Sequence, residues 1–337
     1  MAAPLFPFHT LRSVIAGTSA IDVPHLSVRS RQEAEDFLSA YGYHLDDPHD
    51  VAEMAALRSE AVAFLDRMLE AGDAIPDTVR DEQDVLRLIR IASDPGHKNQ
   101  RAVCALLRVM HTLAHSSSWF ADRFHDSIQR QVLARIEPFL REEAGQKFLA
   151  DVPLVHFEMR ARKERWSLAL KLLHKAENVA ADVFDYVGLR FVTRDRLDAL
   201  LVVRALRTNN MIMFANVKPS RSRNTLMDLD RLETWFAANP EPDLEELRRE
   251  VQTWPPPSGD TERNRYSDAA YRSLQFTCRQ RIHVTDSTGR PLRFFFPFEV
   301  QILDEESYRI SREGFASHDE YKRRQVVDAR RRVLGSD

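Results

Sequence analysis

Among the residues suited to chemistry, we first consider Glu299, an acidic residue inside a predicted strand. In the run Phe298-Glu299-Val300-Gln301-Ile302-Leu303, side chains alternate between the two faces of the strand, so Glu299 and Gln301 share one face and apolar residues occupy the other. A glutamate in such a strand is costly to bury unless it is paired, hydrogen-bonded or bound to a cation. A solvent-facing position at the edge of the sheet is the alternative, and this run alone favours neither.

A second carboxylate, Asp185, stands at the start of another predicted strand, Tyr186 to Phe191. Gly188 in that strand would permit close approach of a ligand or a neighbouring element. Two acids at adjacent sheet positions would suit Mg²⁺, which prefers a few carboxylates together with water and substrate phosphates. Taken alone, Asp185 could equally be a cap or turn residue.

A cluster of cations runs from Arg160 to Lys171 at the start of a predicted helix. Lys163, Ser167 and Lys171 recur at i, i+4 and i+8, which places them on one helix face and suits them to gripping a polyphosphate. A solvated basic face is the alternative, and it is the ordinary reading of such a charge run.

In this order the motifs resemble those of the RelA/SpoT-type (p)ppGpp synthetases, over about residues 157 to 323. These enzymes transfer the β,γ-pyrophosphate of ATP to the 3'-hydroxyl of a nucleotide. Their early basic motif is similar to Lys163, Ser167 and Lys171, with Arg160 or Arg162 standing in for an arginine displaced by one position. Their Asp-x-x-Gly/Ala-x-Arg strand resembles Asp185 to Arg190, which implies Asp185 as a Mg²⁺ ligand and Arg190 as a further phosphate-binding cation.

Further motifs resemble those with which the family binds the acceptor. Tyr271-Arg272-Ser273-Leu274-Gln275 is similar to the family's Tyr-Arg-Ser-Leu-His, whose tyrosine stacks on the acceptor base. Glu299-Val300-Gln301-Ile302 matches the family's Glu-Val-Gln-Ile, whose glutamate is implied to hold Mg²⁺ or to activate the attacking hydroxyl. The segment from Glu313 to Lys322, with His318, looks like the last family motif. The acceptor-binding residues implied in this way are Tyr271, Arg272, Gln275, Gln301 and His318.

Where the sequence departs from the family pattern, the altered positions lie in the motifs for the acceptor more than in the motifs for ATP. Gln275 replaces a histidine, Ala270 a glycine and Leu303 an arginine. The resemblance implies a Mg²⁺-dependent pyrophosphokinase that uses ATP and a purine nucleotide, GDP or GTP first. Pyrophosphorylation of the tRNA 3' end and a catalytically silent nucleotide-binding sensor stay open as alternatives.

Composition narrows the class of protein. The chain has 337 residues, 43% of them hydrophobic, and a net charge of -3 with a pI near 6.5, so any site for a polyanion must be local. Cys104 and Cys278 each lie in an apolar stretch, which argues against a disulfide framework and fits a reducing cytosol. We find no apolar run long enough to span a bilayer and no signal peptide, so we expect a cytoplasmic protein without membrane contact.

The helices and strands that would position these residues indicate an α+β fold. An N-terminal all-helical module is predicted to precede a nucleotidyltransferase-like mixed β-sheet flanked by helices. The module is predicted for residues 1–150, with a regulatory role, and the synthetase-like domain for residues 151–337, with an insertion at about 225–260. The predicted helices span 51–69, 85–91, 102–113, 128–140 and 197–206, and the predicted strands span 186–192, 211–217, 271–284 and 292–303. Ser30 to Glu33 forms a capping-box pattern before another helix, with Gly42 as its stop.

His111 and His115 lie four residues apart in the predicted helical module. Spacing of this kind can ligate a metal, but no glutamate intervenes and no third ligand is evident, so a packing or surface role is favoured. The paired His-Asp metal motif of the alarmone hydrolases is not reproduced here. We therefore expect no hydrolase activity.

Replacing Asp185 by asparagine tests the implied metal site. Asp185→Asn should lose Mg²⁺ binding and pyrophosphate transfer together, because the amide removes the charge while keeping the shape of the side chain. Metal titration, transfer of labelled pyrophosphate and circular dichroism measure the three properties. An Asp185→Asn protein that stays folded and active would contradict the assignment.

Overall fold

The structure is a computed structural model of the whole chain. It describes residues 19–116, 119–160, 164–174, 186–255, 257, 272–312 and 318–335. The chain divides into two compact units that are discontinuous in sequence. The first unit comprises Met1–Ser118, Glu164–Asp182 and Arg323–Asp337, and the second comprises Trp119–Lys163 and Val183–Lys322. A single division near residue 150 differs from this arrangement, because a central helix and the C-terminal residues pack with the N-terminal helices.

The first unit is built from helices. Their bounds are α1 Arg31–Tyr41, α2 Pro48–Met68, α3 Asp77–Arg80, α4 Val85–Ala92, α5 Gln100–Ser116 and, after the second unit has begun, α7 Arg165–Leu173. The N-cap half of the predicted capping box is confirmed, because the Ser30 hydroxyl accepts a hydrogen bond from the backbone N–H of Glu33 at 3.1 Å. The Glu33 carboxylate accepts from the backbone N–H of Arg29 at 2.7 Å, one residue before the cap. Gly42 ends α1 in a left-handed conformation with φ +107°, which favours glycine.

The core of the first unit explains why distant segments belong to it. Leu65 of α2, Leu106 of α5 and Leu173 of α7 are fully buried in one cluster with Val333. Arg108 of α5 is buried and donates hydrogen bonds to the backbone carbonyls of Val333 at 2.6 Å and Val23 at 2.8 Å. Burial lowers the pKa of this guanidinium. The C-terminal residues of the chain are thereby bound to the N-terminal helices.

The second unit contains a seven-stranded mixed sheet, and the predicted α+β class is confirmed. Its strand order is β1-β2-β3-β4-β7-β6-β5, antiparallel throughout except for the parallel pair of β4 and β7. The strands are β1 Leu140–Glu143, β2 Gln146–Leu149, β3 Val152–Arg160, β4 Gly188–Thr193, β5 Arg223–Asn224, β6 Leu274–Thr285 and β7 Pro291–Asp304. The helices are α6 Trp119–Leu133, α8 Arg196–Thr208, α9 Leu229–Ala238, α10 Leu244–Thr253, α11 Glu305–Arg312 and α12 His318–Leu334, which continues into the first unit.

One face of this sheet is apolar and covered by helices. Phe191 of β4 and Val300 and Ile302 of β7 are buried there with Ile128 of α6 and Val202 of α8. Because successive side chains of a strand point to opposite faces, Arg190, Glu299 and Gln301 lie on the other face. The alternation predicted for β7 is thus confirmed.

Two predicted elements are wrong. The helix predicted to reach Leu140 ends at Leu133, and β1 and β2 follow within the region predicted to be all-helical; they are joined at Ala144 and Gly145, whose φ angles of 50° and 80° make a tight turn. The strand predicted for 211–217 does not form. Met211 and Ile212 are instead buried, with their backbone N–H groups bonded to the carbonyl of Leu206 at the end of α8.

Helices α9 and α10 lie within the insertion predicted for residues of about 225–260. Arg248 of α10 forms ion pairs with Asp195 and with Asp198. The distance to Asp198 is 2.9 Å, and Asp198 is buried. The two carboxylates raise the pKa of Arg248 above its ordinary value, against the opposing effect of burial. Arg196 donates to the carbonyl of Trp254 at 2.9 Å. These contacts fasten α10 to α8. In the described ranges, no helix is both long and apolar enough to cross a bilayer.

The two histidines of α5 lie in a hydrogen-bonded cluster with Tyr41. The Tyr41 hydroxyl is 2.7 Å from Nδ1 of His111 and 2.9 Å from Nε2 of His115. A phenol has one proton, so it donates to at most one of the two imidazoles, and at least one imidazole donates to its oxygen. Burial, with a smaller effect of His115, lowers the pKa of His111 to about 4. Burial raises the pKa of Tyr41 to about 12.

The lowered pKa of His111 predicts acid sensitivity of the first unit. An unfolded histidine titrates near pH 6.5, so between about pH 6.5 and about pH 4 the unfolded state binds the proton and the folded state does not. Stability should therefore be complete above about pH 6.5 and fall by about 2 kcal/mol on going to about pH 4.5. Urea unfolding of the whole chain at the two pH values, compared with His111→Gln, measures this contribution.

His49, which is exposed, supplies the matched control. His49→Gln should keep the acid sensitivity of the wild type, whereas His111→Gln should reduce it. Equal pH dependence in wild type and His111→Gln would contradict the assignment.

Candidate functional site

The candidate site is the polar face of the sheet, opposite its apolar face, where residues from four strands lie in two rows. In one row, Arg160 of β3, Gly188 of β4, Glu299 of β7 and Thr277 of β6 are successive backbone partners. The next row contains Glu158, Arg190, Gln301 and Gln275. Directly opposite residues share a face of the sheet, so the register brings these groups together.

Glu299 is the centre of the first row. Its side chain accepts a hydrogen bond from Nη1 of Arg160 to Oε2 at 2.6 Å and another from Nε2 of Gln275 to Oε1 at 2.5 Å. The residue is 8% exposed and lies in a strand between β4 and β6, not at the edge of the sheet. The solvent-facing alternative for Glu299 is therefore wrong, and the carboxylate is paired as its burial requires.

Gly188 makes this ion pair possible. Arg160 and Glu299 are separated by strand β4, so the arginine must pass over position 188 to reach the carboxylate. A Cβ at Gly188 would lie 3.1 Å from Cδ and 3.5 Å from Cβ of Arg160, the former closer than ordinary van der Waals contact. The close approach expected at this glycine is thus made by the stem of Arg160.

Arg190 organises the second row. Its Nε donates to Oε1 of Gln301 at 2.8 Å and its Nη1 donates to Oε1 of Glu158 at 2.6 Å. Glu158 is also 3.3 Å from Nε2 of His156, and that imidazole stacks on Tyr308 of α11 with ring centroids 5.9 Å apart. The guanidinium is held by two neighbours on the sheet, which fixes its orientation.

The remaining predicted site residues fall into separate groups. Ser167 and Lys171 are half-buried on α7 and belong to the first unit, whereas the two rows belong to the second. Helix α7 begins at Arg165 and contains Ser167 and Lys171. Four predicted positions lie outside the described residues: Arg162, Lys163, Asp185 and Tyr271. His318 opens α12, and its side chain also lies outside them.

Arg272 of the predicted acceptor motif precedes β6. It is half-buried, and its Nε is a buried donor that forms no hydrogen bond with the residues described. A buried unsatisfied donor is costly. A ligand oxygen beside it would remove that cost.

Sequence reasoning missed Glu158, His156 and Thr277. The signal for the first two was present, because His156, Glu158 and Arg160 alternate with period two through β3. The cations that follow in the sequence obscure that alternation. Thr277 has no distinctive pattern around it, and its place beside Glu299 follows only from the register of β6 and β7.

The carboxylate oxygens on the polar face of the sheet suit a hard cation. Carboxylate oxygens are the ligands that Mg²⁺ prefers, and each oxygen of Glu299 keeps a lone pair beyond its single hydrogen bond. Within the described ranges, no group of three or more His, Cys, Asp or Glu residues could hold a metal. A carboxylate such as that of Glu299 can contribute to a cation site, and the rest of such a site is not provided by the described residues.

Comparisons with known proteins leave the family open. No protein-family model matches the sequence. The V-type ATP synthase subunits C of two strains of Thermus thermophilus are each 27% identical over 188 residues, covering 53% of this chain and 51% of theirs. The chain thus spans about half the length of the curated relatives it matches.

Several solved structures show a distant similarity to this chain. Small alarmone synthetase 2 of Bacillus subtilis is 12% identical with a TM-score of 0.28, covering 65% of this chain and 88% of that one. Small alarmone synthetase 1 of Bacillus subtilis is 11% identical with a TM-score of 0.30, covering 66% and 88%. A GTP pyrophosphokinase family protein of Streptococcus pneumoniae is 14% identical with a TM-score of 0.31, covering 64% and 89%. At these scores, neither the fold nor the function of this chain follows from the similarity.

A double-mutant cycle tests the ion pair across Gly188. Arg160→Gln, Glu299→Gln and their combination should give a coupling energy of about 1–3 kcal/mol in urea unfolding, as expected for a partly buried charged pair in contact. Introducing Gly188→Ala into all members of the cycle should reduce this coupling to below about 0.5 kcal/mol, because the new methyl group displaces the stem of Arg160.

Gly72→Ala is the matched control, because nothing lies within 4 Å of a Cβ at that position. It should leave the coupling unchanged. A full coupling energy in the presence of Gly188→Ala would show that Arg160 does not need the space above the glycine.

Proposed function

We propose that this chain is an ATP-dependent pyrophosphokinase that transfers the β,γ-pyrophosphate of ATP to the 3'-hydroxyl of a purine nucleotide. The observation that carries the proposal is the buried Glu299 carboxylate at the centre of the polar sheet face, hydrogen-bonded to Arg160 and Gln275. The ordered resemblance to RelA/SpoT-type synthetases also supports the proposal. Glu299 and Gln275, which are in contact in the structure, belong to two different motifs of that series.

The reaction requires charge neutralisation more than covalent chemistry. The 3'-hydroxyl attacks the β-phosphorus of ATP in line with the departing AMP, and negative charge is spread over phosphate oxygens. Arg160 and Arg190 place two guanidinium groups on the face that contains Glu299, and guanidinium groups bind phosphate bidentately. Glu299 would accept the proton of the attacking hydroxyl or contribute to a metal site.

Mg²⁺ would be held by Glu299 and Asp185, and when bound it would neutralise charge on the transferred phosphates. Strand β4 is parallel to β7, and its first residue, Gly188, is the backbone partner of Glu299. Asp185 precedes Gly188 by three residues in the sequence. Three residues span at most about 11 Å, so the proposal requires only that Asp185 turn toward β7.

Binding of the triphosphate would redistribute the contacts of Arg160. Without substrate, Arg160 compensates the charge of Glu299 at 2.6 Å. Phosphate oxygens compete for the same guanidinium, and a bidentate Arg–phosphate contact is a strong charge-assisted interaction. Oε2 of Glu299 would then be released for its role in the reaction, while Gln275 continues to orient Oε1.

We infer that the acceptor is GDP or GTP, with Tyr271, Arg272, Gln301 and His318 among its contacts. The buried Nε of Arg272 provides a donor for an acceptor oxygen. Gln275 holds Glu299 here. The replacement of the family's histidine by glutamine therefore retains a hydrogen-bonding group beside the carboxylate.

ATP labelled on its γ-phosphate tests the proposal directly. The protein is incubated with labelled ATP and, separately, GDP, GTP, AMP or deacylated tRNA, with and without Mg²⁺. We expect Mg²⁺-dependent label in GDP or GTP, and we expect Glu299→Gln to lower the rate by about a hundredfold or more, as for loss of a group that acts in the transition state.

Glu142→Gln, at an exposed position of β1, is the matched control and should keep wild-type activity. Label in tRNA alone would favour the tRNA-modifying alternative. A protein that binds nucleotides but transfers no label would be a silent sensor, and the proposed reaction would be wrong.

A further inference from the structure

The outer part of the β6–β7 hairpin carries exposed cations and an exposed aromatic ring on the face that contains Glu299. Arg279 is paired with Pro297, Arg281 with Phe295 and His283 with Arg293. Directly opposite residues share a face, so the three arginines and Phe295 lie on one surface. All four are exposed, whereas the alternating residues of the hairpin are mostly buried on the other side.

A cavity of about 620 Å³ opens on this surface beside Phe295. Its lining includes Lys218, Arg279, Phe295 and Pro297. The wall opposite the hairpin is fixed to β6, because the backbone N–H of Lys218 donates to the carbonyl of Thr277 at 2.9 Å and the Asn216 amide donates to the carbonyl of Arg279 at 3.1 Å. The cavity is therefore a built feature of the second unit.

The chemistry of the lining favours a ligand with flat rings and negative charge. The Arg279 guanidinium carbon lies 5.6 Å from the centroid of the Phe295 ring, which is 48% exposed although phenylalanine is usually buried. Aromatic rings flanked by cations bind nucleic acid strands, because each base can stack on the ring while the backbone contacts the cations. In a duplex the faces of the bases are covered, so a single strand fits this surface better.

The extent of the surface favours a chain over a single nucleotide. Its cations run from Lys218 and Arg279 at the cavity to Arg281 and Arg293 farther along the hairpin. The net charge of the whole chain is -3, so attraction of a polyanion must come from a local surface of this kind. Nearer the centre of the sheet, Arg160 compensates Glu299, which limits the repulsion of a nearby phosphate.

We propose that this hairpin surface, formed by Lys218, Arg279, Arg281, Arg293 and Phe295, binds single-stranded nucleic acid. Binding requires neither ATP nor Glu299, so the inference goes beyond the proposed reaction. Phe295 lies about 13 Å along β7 from Glu299 at the usual rise of a strand. A nucleic acid strand bound on the hairpin would thus run toward the part of this face that contains Glu299.

Fluorescence anisotropy with a labelled single-stranded RNA of about ten nucleotides, in the absence of ATP, tests the proposal. Arg279→Gln combined with Arg281→Gln should weaken binding about tenfold or more and should lower the slope of log affinity against log salt by about 1.4, for two lost phosphate contacts. Phe295→Ser should weaken binding about tenfold, for one lost stack.

Arg207→Gln is the matched control, because Arg207 is exposed on α8, which covers the opposite face of the sheet. It should bind RNA as the wild type does. A duplex of the same sequence and a free mononucleotide should each compete at least about tenfold less well than the single strand.

The inference is overturned by an absence of RNA binding, by equal weakening in Arg207→Gln, or by equally good competition from the duplex or the mononucleotide. Transfer of label to GDP is measured on the same preparations. Absent RNA binding with intact transfer would sink this inference alone, whereas absent transfer with intact RNA binding would sink the proposed function alone.

Discussion

The burial of the Glu299 carboxylate in an interior strand is the constraint on which the site depends. A charge in that position is tolerated only with a partner and a hydrogen bond, and Arg160 and Gln275 supply them at 2.6 and 2.5 Å. Both come from other strands, so the carboxylate is compensated only when β3, β6 and β7 are assembled in register. The stability of the sheet and the reaction proposed for its polar face therefore depend on the same contacts.

The parallel pairing of β4 and β7 gives the site its geometry. It aligns Gly188 with Glu299 and Arg190 with Gln301, so the residue without a side chain lies beside the carboxylate and the guanidinium lies beside the amide. The missing side chain leaves the space that Arg160 crosses. Arg160 can then approach Glu299 over the sheet without distorting the strands.

The sequence predicted the strands around Glu299 well, because alternation along β7 and the compact apolar run of β4 are strong local signals. It could not predict Arg160 as the partner of Glu299, since that contact joins residues 139 positions apart and depends on strand order. Local turns explain the failed elements: positive φ angles at Ala144 and Asn210 redirect the chain into a hairpin in one case and back onto α8 in the other. Asparagine tolerates the left-handed region, so Asn210 was a usable turn signal, whereas alanine at position 144 gives none and only the adjacent Gly145 marks that turn.

We propose that Glu299 exchanges its pairing with Arg160 for a role at the bound donor. A crystal structure of the chain with Mg²⁺ and an ATP analogue that has a methylene group between its α- and β-phosphorus atoms tests this most directly. We expect the triphosphate to contact Arg160 and a Mg²⁺ ion to be ligated by Glu299 and Asp185. An analogue bound away from the polar face, with the Arg160–Glu299 ion pair intact and no metal at Glu299, would show that this exchange does not occur.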